Sequence, residues 1–153
     1  MKKISIVLLL FLFLFSCNNA DEGINETSVI GKWNLTKIIN TSIGGTMSPS
    51  ATETHFYKID NNGTFERVSI ENNTVTILNG TFIVKDENSN YGNEDGSIQK
   101  FIELSYSSSD AMFFNCGIIE TNKQLLILNS DNKLQNTLSG SCDGENYEYT
   151  KEK

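Results

Sequence analysis

The feature that most constrains the fold is the alternation of short β-forming runs with turn residues, which begins at Val29. Runs rich in Val, Ile, Phe, Tyr and Thr are separated by clusters of Asn, Asp and Gly, a pattern typical of strands joined by turns. No stretch after Val29 combines a 3.6-residue apolar period with capping residues, so helix has little support. The sequence therefore predicts one all-β domain over residues 29–153.

The runs predict about eight strands, at residues 32–39, 53–59, 64–71, 74–84, 98–107, 111–119, 124–129 and 145–151. The turns at residues 60–63 and Asn72-Asn73 favour the positive φ angles of tight hairpins, so neighbouring strands should pair antiparallel. Asn79-Gly80 is either another turn or a bulge in a longer strand. Ile102, Leu104 and Tyr106 share one face. An antiparallel meander with one apolar face removes its edges by closing, which predicts an eight-stranded up-and-down barrel.

Two segments interrupt the strand pattern, residues 40–52 and residues 85–97. Both are predicted to be long loops, where functional sites are over-represented. The first loop, residues 40–52, would be well placed to cover one end of a barrel as a lid.

The N-terminus predicts export. Lys2 and Lys3 precede an unbroken apolar stretch at residues 6–15, which is the pattern of a signal peptide. The stretch is shorter than the roughly 20 apolar residues that a membrane-spanning helix needs.

Leu14-Phe15-Ser16-Cys17 resembles the lipobox of bacterial lipoproteins, although Phe15 is bulkier than the residue usual there. The resemblance implies a cleaved signal peptide at residues 1–16 and acylation of Cys17, with chains such as palmitate. An ordinary secretory signal with a chance cysteine is the alternative. Residues 17–28 would then be the lipidated cysteine and a flexible polar tether.

The tether also bears on localisation. Its Asp21-Glu22 pair resembles the signal that sends some Bacteroidetes lipoproteins to the cell surface; the alternative is a solvated linker. We expect a lipid-anchored protein of the outer membrane, on its periplasmic face or at the cell surface, with the membrane as a partner through the anchor.

Net charge argues against nucleic acid as a partner. Removing residues 1–16 takes away two lysines and no acids, so the formal charge moves from −7 to −9. Nucleic acid is bound mainly by neutralising phosphates with Lys and Arg, and Arg67 is the chain's single arginine.

The segment Ile30-Gly31-Lys32-Trp33-Asn34-Leu35 resembles the Gly-x-Trp start of lipocalins and of lipocalin-like lipoproteins of Bacteroidetes. The resemblance extends through residues 57–65, 80–82 and 147–151. It implies that Gly31 and Trp33 are structural residues at the base of a barrel. In lipocalins a basic residue of the last strand often lies against this tryptophan, and here only Lys151 or Lys153 is available for that role.

The resemblance implies a small apolar or amphipathic ligand inside the barrel. An eight-stranded barrel is at the margin between a filled interior and one with room for a small ligand. The side chains that would line a pocket, or equally fill it, are Phe65, Phe82, Phe113, Phe114 and Leu126. The alternative function is a protein–protein interaction module of the cell envelope with a filled barrel and an unknown protein partner.

Cys116 and Cys142 form an even pair in an oxidising compartment, which predicts a disulfide bond. The bridge requires the segment before the last strand to fold back over the barrel, and two free buried thiols are the alternative.

The sequence offers no set of catalytic residues and no cofactor motif, so we expect a protein that is not an enzyme. His55 is the single histidine, no Gly-x-Ser-x-Gly motif occurs, and His55 is expected to be a strand residue with an ordinary hydrogen-bond partner. One histidine and two paired cysteines fall short of a zinc site. Residues 86–97 start like a calcium-binding loop, but the required glycine falls at the wrong position and the twelfth residue is Ser97 instead of glutamate, so no metal site is expected.

Overall fold

The computed structural model describes residues 28–40, 42–86, 96–108, 122–136 and 145–153. They form nine strands and, within those ranges, no α-helix. The strands are β1 (Gly31–Asn40), β2 (Gly45–Met47), β3 (Glu53–Ile59), β4 (Thr64–Glu71), β5 (Thr74–Lys85), β6 (Ile98–Tyr106), β7 (Lys123–Asn129), β8 (Lys133–Asn136) and β9 (Glu145–Lys151).

The sheet closes on itself. Each strand from β3 to β8 pairs with the next along the chain, β3 also pairs with β1, and β1 pairs with β9. All pairings are antiparallel. The eight strands β1 and β3–β9 therefore form an up-and-down barrel, which confirms the predicted fold class. The short β2 is an addition that pairs only with the last three residues of β1.

Seven of the predicted strands match observed ones to within one residue at each end, but two observed strands were missed. The segment predicted as one long loop over residues 40–52 contains β2, so that prediction was wrong in part. β8 was missed because its four residues carry a single apolar side chain, Leu134, which is too little for an alternation signal. The predicted strand at residues 111–119 lies outside the described residues, and β6 pairs directly with β7.

The predicted turn chemistry is confirmed at two hairpins. Asn72 and Asn73 have φ angles of 49° and 64° and join β4 to β5 in a two-residue turn, for which both central residues need positive φ. Gly63 takes a φ of 83° in the β3–β4 turn.

Asn79-Gly80 is neither a turn nor a bulge, because β5 runs through both residues without a register shift. Gly80 is needed there for a different reason. A Cβ atom on it would lie 2.0 Å from the Ser105 carbonyl oxygen and 2.9 Å from the Phe65 ring. The glycine lets the backbones of β5 and β6 approach closely at this point.

The core lies inside the barrel. Directly paired residues face the same side of a sheet, so the register places Ile102, Leu104 and Tyr106 of β6 inward with Leu126 of β7, as the alternation predicted. A second, smaller cluster lies on the outer face of the same two strands, where Phe101, Leu125 and Ile127 are almost fully buried. β7 is therefore buried on both faces.

Candidate ligand site in the barrel interior

One end of the barrel is closed by an apolar plug around Trp33. The plug consists of Val29, Trp33, Ile59, Phe65 and Leu134, none of them more than 2% exposed. We call the end of the barrel that this plug fills the closed end, and the opposite end, near the Asn72-Asn73 turn, the far end. A side chain this inaccessible touches no water-sized space, so the closed end is filled.

The Gly31–Trp33 segment is fixed by contacts that depend on its sequence. The Trp33 indole Nε1 donates to the Val29 carbonyl oxygen at 2.8 Å. Lys151 of the last strand lies over the Trp33 ring, with Nζ 5.7 Å from its centroid, and donates to the Ser28 carbonyl oxygen at 3.1 Å. Gly31 has a φ of 134°, and a Cβ on it would lie 2.7 Å from Lys151 Cε. A lysine thus occupies the place over the tryptophan for which the sequence offered Lys151 or Lys153.

The residues predicted as pocket lining are mostly part of the packed core. Phe65 and Leu126 are 2% and 0% exposed, while Phe82 is half-buried and packs against the same cluster. Phe113 and Phe114 lie outside the described residues, as do Cys17, Cys116 and Cys142. Phe65 and Leu126 therefore fill space, and Phe82 is the described member of the set that keeps accessible surface.

Between the closed end and the far end, the interior carries hydrogen-bonding side chains. We call this set the interior polar cluster: His55, Tyr57, Arg67, Tyr106, Gln124 and Tyr149. Its centre is Gln124, whose Oε1 accepts the hydroxyl of Tyr57 at 2.8 Å and that of Tyr106 at 2.6 Å. Gln124 is 2% exposed, so these hydrogen bonds are shielded from water.

The second part of the cluster pairs His55 with the tyrosines of β9. The Tyr149 hydroxyl is 3.0 Å from His55 Nδ1, and the imidazole meets the Tyr147 ring edge-on at 4.8 Å. The Tyr149 ring in turn lies edge-on to Tyr57, with centroids 5.0 Å apart, which joins the two parts. The expectation that His55 is a strand residue with an ordinary hydrogen-bond partner is confirmed.

Burial fixes the protonation states of these groups. Burial, and secondarily the nearby Arg67 charge, lowers the pKa of His55 from 6.5 to about 3, so the imidazole is neutral at physiological pH. Burial, followed by the neighbouring Tyr57, raises the pKa of Tyr106 and of Tyr149 well above the usual value. Both phenols are therefore protonated and able to donate.

Arg67 brings a positive charge into the interior. It lies directly opposite Tyr57 on β3 and Leu78 on β5, two inward-facing residues, with its guanidinium carbon 6.0 Å from the Tyr57 ring centroid. Burial acts to lower the pKa of Arg67, but Tyr57, Tyr149 and Tyr106 outweigh it and raise the pKa, so the group stays charged. Arg67 keeps some accessible surface, whereas Tyr57 keeps none.

A side-chain atom of Asn136 inside the barrel is unsatisfied among the described residues. Asn136 of β8 is 4% exposed, and its side-chain oxygen Oδ1 is buried with no hydrogen-bond partner in the described part of the chain. Asn136 lies directly opposite Tyr147 on β9, on the inner face. A buried acceptor of this kind costs free energy unless a ligand or water donates to it.

Sequence reasoning missed this cluster. The signal was available in β3 and β4, where His55-x-Tyr57 and Arg67-x-Ser69 place polar residues at the same alternate positions as the core residues Ile59 and Phe65. Polar residues on the apolar face of a strand are costly unless they are paired, and so they indicate an internal network.

Other kinds of site find less support. An open depression of about 330 Å³ on the barrel wall is lined by residues that include Lys58, Glu66 and Thr81. Within the described ranges, no group of three or more His, Cys, Asp and Glu side chains is placed to hold a metal ion. In the same ranges, no helix has the length and apolar character needed to cross a bilayer.

Comparisons with known proteins add no relative to this description: no family model, no curated protein and no solved structure matches the chain.

Proposed function

We propose that this protein is a membrane-anchored, lipocalin-like binding protein that holds a small amphipathic molecule inside its barrel. The observation that carries the proposal is the interior polar cluster. A barrel that only needed to be stable would gain more from apolar side chains at those positions, because buried polar groups contribute little net free energy even when paired. A charged and hydrogen-bonding layer inside an otherwise apolar barrel suits a ligand with one polar and one apolar part.

Two further observations support the proposal. The closed end gives the interior a floor, and the partly accessible Arg67, Leu78 and Phe82 offer polar and apolar contact surface above it. The buried acceptor of Asn136 is a further group that a ligand donor would satisfy.

Native mass spectrometry tests the carrier proposal. The chain from residue 21 onward would be purified gently and incubated with a lipid extract from the producing organism. We expect a reproducible added mass that is lost on denaturation. A bare mass throughout would contradict the proposal and favour a protein partner instead.

The anchor is a separate part of the proposal, supported by the lipobox resemblance at residues 14–17. Acylation at Cys17 would hold the barrel on the outer membrane through the tether, at its periplasmic face or at the cell surface. Cells fed an alkyne-tagged palmitate should label the wild-type protein in the membrane fraction and leave Cys17→Ser unlabelled. Equal labelling of both forms would place the acyl chain elsewhere.

An interaction module remains the second candidate, because the outer wall carries exposed apolar side chains. Val75 and Ile77 on β5 are 57% and 56% exposed. Ile77 lies beside Val68 of β4, which lies beside Phe56 of β3, so apolar side chains follow one another across three strands, with Val68 itself almost buried. Such a surface suits a protein partner more than a solvated wall.

A further inference from the structure

The first half of β5 extends beyond the strand that pairs with its second half. β6 pairs with β5 from Gly80 to Lys85, and one further hydrogen bond joins the Ser107 N–H to the Asn79 carbonyl oxygen at 2.9 Å. Residues 74–78 pair with β4 on one side and have no strand partner on the other side among the described residues. We call residues 74–78 the open edge of β5.

The direction of the backbone groups identifies which residues face outward from this edge. Within a strand, the N–H and C=O of one residue point to the same side, and those of the next residue point to the opposite side. The Asn79 carbonyl points towards β6, so the N–H and C=O groups of Val75 and Ile77 point to that side as well. Those of Thr76 point to β4, where Thr76 lies opposite Ser69. The open edge therefore presents four backbone hydrogen-bonding groups.

The side chains of the open edge are suited to pairing with another strand. Val75 and Ile77 are 57% and 56% exposed on the outer face, and Thr76 is exposed on the other face. All three are β-branched and favour strands. Residues 72–84 contain no charged residue and no proline, with which natural proteins commonly protect a strand edge from pairing.

A second copy of the chain fits the open edge in a register centred on Thr76. When two copies run antiparallel around this residue, Val75 of each lies directly opposite Ile77 of the other. Both residues direct their backbone groups to the interface, so the two pairs form four hydrogen bonds and use every open group. The apolar side chains then meet on the outer face, and the two Thr76 side chains meet on the other.

Charge also favours this segment as the place of contact. The chain has a formal net charge of −7, so two copies repel each other across most of their surface. The open edge is uncharged, and two copies approach there at a lower electrostatic cost.

We propose that two copies of this chain associate through the open edge, with β5 of one pairing antiparallel with β5 of the other around Thr76. A two-fold contact of this kind is closed, so it gives a dimer and not a filament. The contact is small, and we expect a weak dimer that forms at about 10 to 100 μM and above. The inference does not depend on a ligand in the barrel; it names a partner for the apolar outer wall.

Sedimentation velocity measures the association directly. The chain from residue 21 onward keeps all nine strands and would be examined from about 10 μM to about 1 mM. We expect a monomer–dimer equilibrium that reverses on dilution, as a disulfide-linked dimer would not. A monomer at every concentration would overturn the proposal, and so would growth into larger species, which a closed two-fold contact does not allow.

A matched pair of variants assigns the contact to the open edge. Ile77→Lys places a charge in the middle of the interface and should weaken the dimer about tenfold or more. Ile83→Lys is the control, because Ile83 is a 50% exposed residue on the outer face of the same strand, where β5 is already paired with β6. Its dimer should keep the wild-type affinity. Undiminished association in Ile77→Lys would overturn the assignment.

Cysteine cross-linking tests the register without a disruptive charge. In the proposed register the two Thr76 residues are directly opposite, with Cα atoms about 4.5 Å apart, which a disulfide spans. The two Thr74 residues are about 13 Å apart, which a disulfide does not span. Under mild oxidation Thr76→Cys should therefore form a covalent dimer about tenfold or more faster than Thr74→Cys. Equal rates would overturn the register.

Amide hydrogen exchange tests whether another part of the chain occupies the open edge. In the proposed dimer, exchange at Val75 and Ile77 should slow as concentration rises, whereas Thr76, whose N–H points to β4, should be protected at every concentration. Protection of Val75 and Ile77 that does not change with concentration would overturn the proposal, because the edge would then be covered within one chain.

Discussion

The closed end and the interior polar cluster are neighbouring parts of one barrel, built from the same strands with opposite kinds of side chain. At the closed end, Trp33, Ile59 and Leu134 are fully buried and the polar atoms are satisfied locally, the indole by the Val29 carbonyl. In the cluster, the same alternate positions carry Tyr57, Arg67 and other hydrogen-bonding groups.

The difference distinguishes a part of the interior that should mainly stabilise the fold from the part that we propose binds a ligand. Apolar burial contributes about 25 cal/mol for each Å² removed from water, whereas a buried hydrogen bond contributes only about 1 kcal/mol net. The closed end should therefore supply much of the free energy of unfolding, and the cluster should contribute less and depend on pH. The predictions below test that division.

The largest effect is expected from Trp33→Ala. Removing this side chain leaves a cavity in the plug and takes away the contact with Lys151, so the free energy of unfolding should fall by about 3 to 5 kcal/mol in urea denaturation. The control is Phe56→Ala, an aromatic residue on the outer face that is only half-buried. Phe56→Ala should lower the free energy of unfolding clearly less. Equal losses in the two variants would show that the closed end contributes no more to stability than the outer wall.

The next largest effect concerns pH and His55. Its pKa is about 3 in the folded protein and 6.5 when unfolded, so the unfolded state binds the proton more readily. The neutral, buried His55 therefore contributes to the free energy of unfolding, and this contribution is fully present above pH 6.5 and is lost as pH falls towards 3. Between pH 6.5 and 4.5 it should fall by about 2 to 3 kcal/mol. Urea denaturation of the wild type and of His55→Gln at both pH values measures the contribution of His55. If the free energy of unfolding falls equally in the two proteins, the pH dependence comes from other groups.

The smallest effect is expected from single hydroxyls. Tyr57→Phe removes one of the two donors to Gln124 and should lower the free energy of unfolding by about 1 kcal/mol. Tyr147→Phe is the matched control, because its hydroxyl donates to Glu145 at 3.2 Å in a partly solvated position, where less than about half that loss is expected. A larger loss in the control would mean that the cluster is no better shielded than the surface.

The sequence predicted the barrel well because the barrel depends on local signals. β3, β4 and β9 begin and end at the predicted residues, since alternation and Asn/Gly turns are visible within a few positions. β8 could not be found this way, because its inclusion depends on pairing with β7 and β9 rather than on its own four residues. Asn79-Gly80 was predicted to be a turn or a bulge, but the glycine is needed because Ser105 of another strand lies so close to it.

The site was harder to predict, because it depends on register. Nothing local indicates that Tyr57, Arg67 and Gln124 meet, since they come from three strands and Gln124 is 67 residues from Tyr57. The alternate polar positions in β3 and β4 were a usable hint, but only the pairing of Tyr57 with Arg67 shows that both face inward.

The measurement that tests the central claim most directly is a two-dimensional NMR titration of the isotope-labelled chain with a soluble fatty acid. Ligand in the interior should shift the resonances of the inward-facing Tyr57, Arg67 and Gln124, including the Arg67 side-chain N–H, and leave the outward-facing Val75 and Ile77 unchanged. Shifts confined to Val75, Ile77 and their outer-face neighbours, with the interior unchanged, would contradict the account and identify the outer wall as the binding surface.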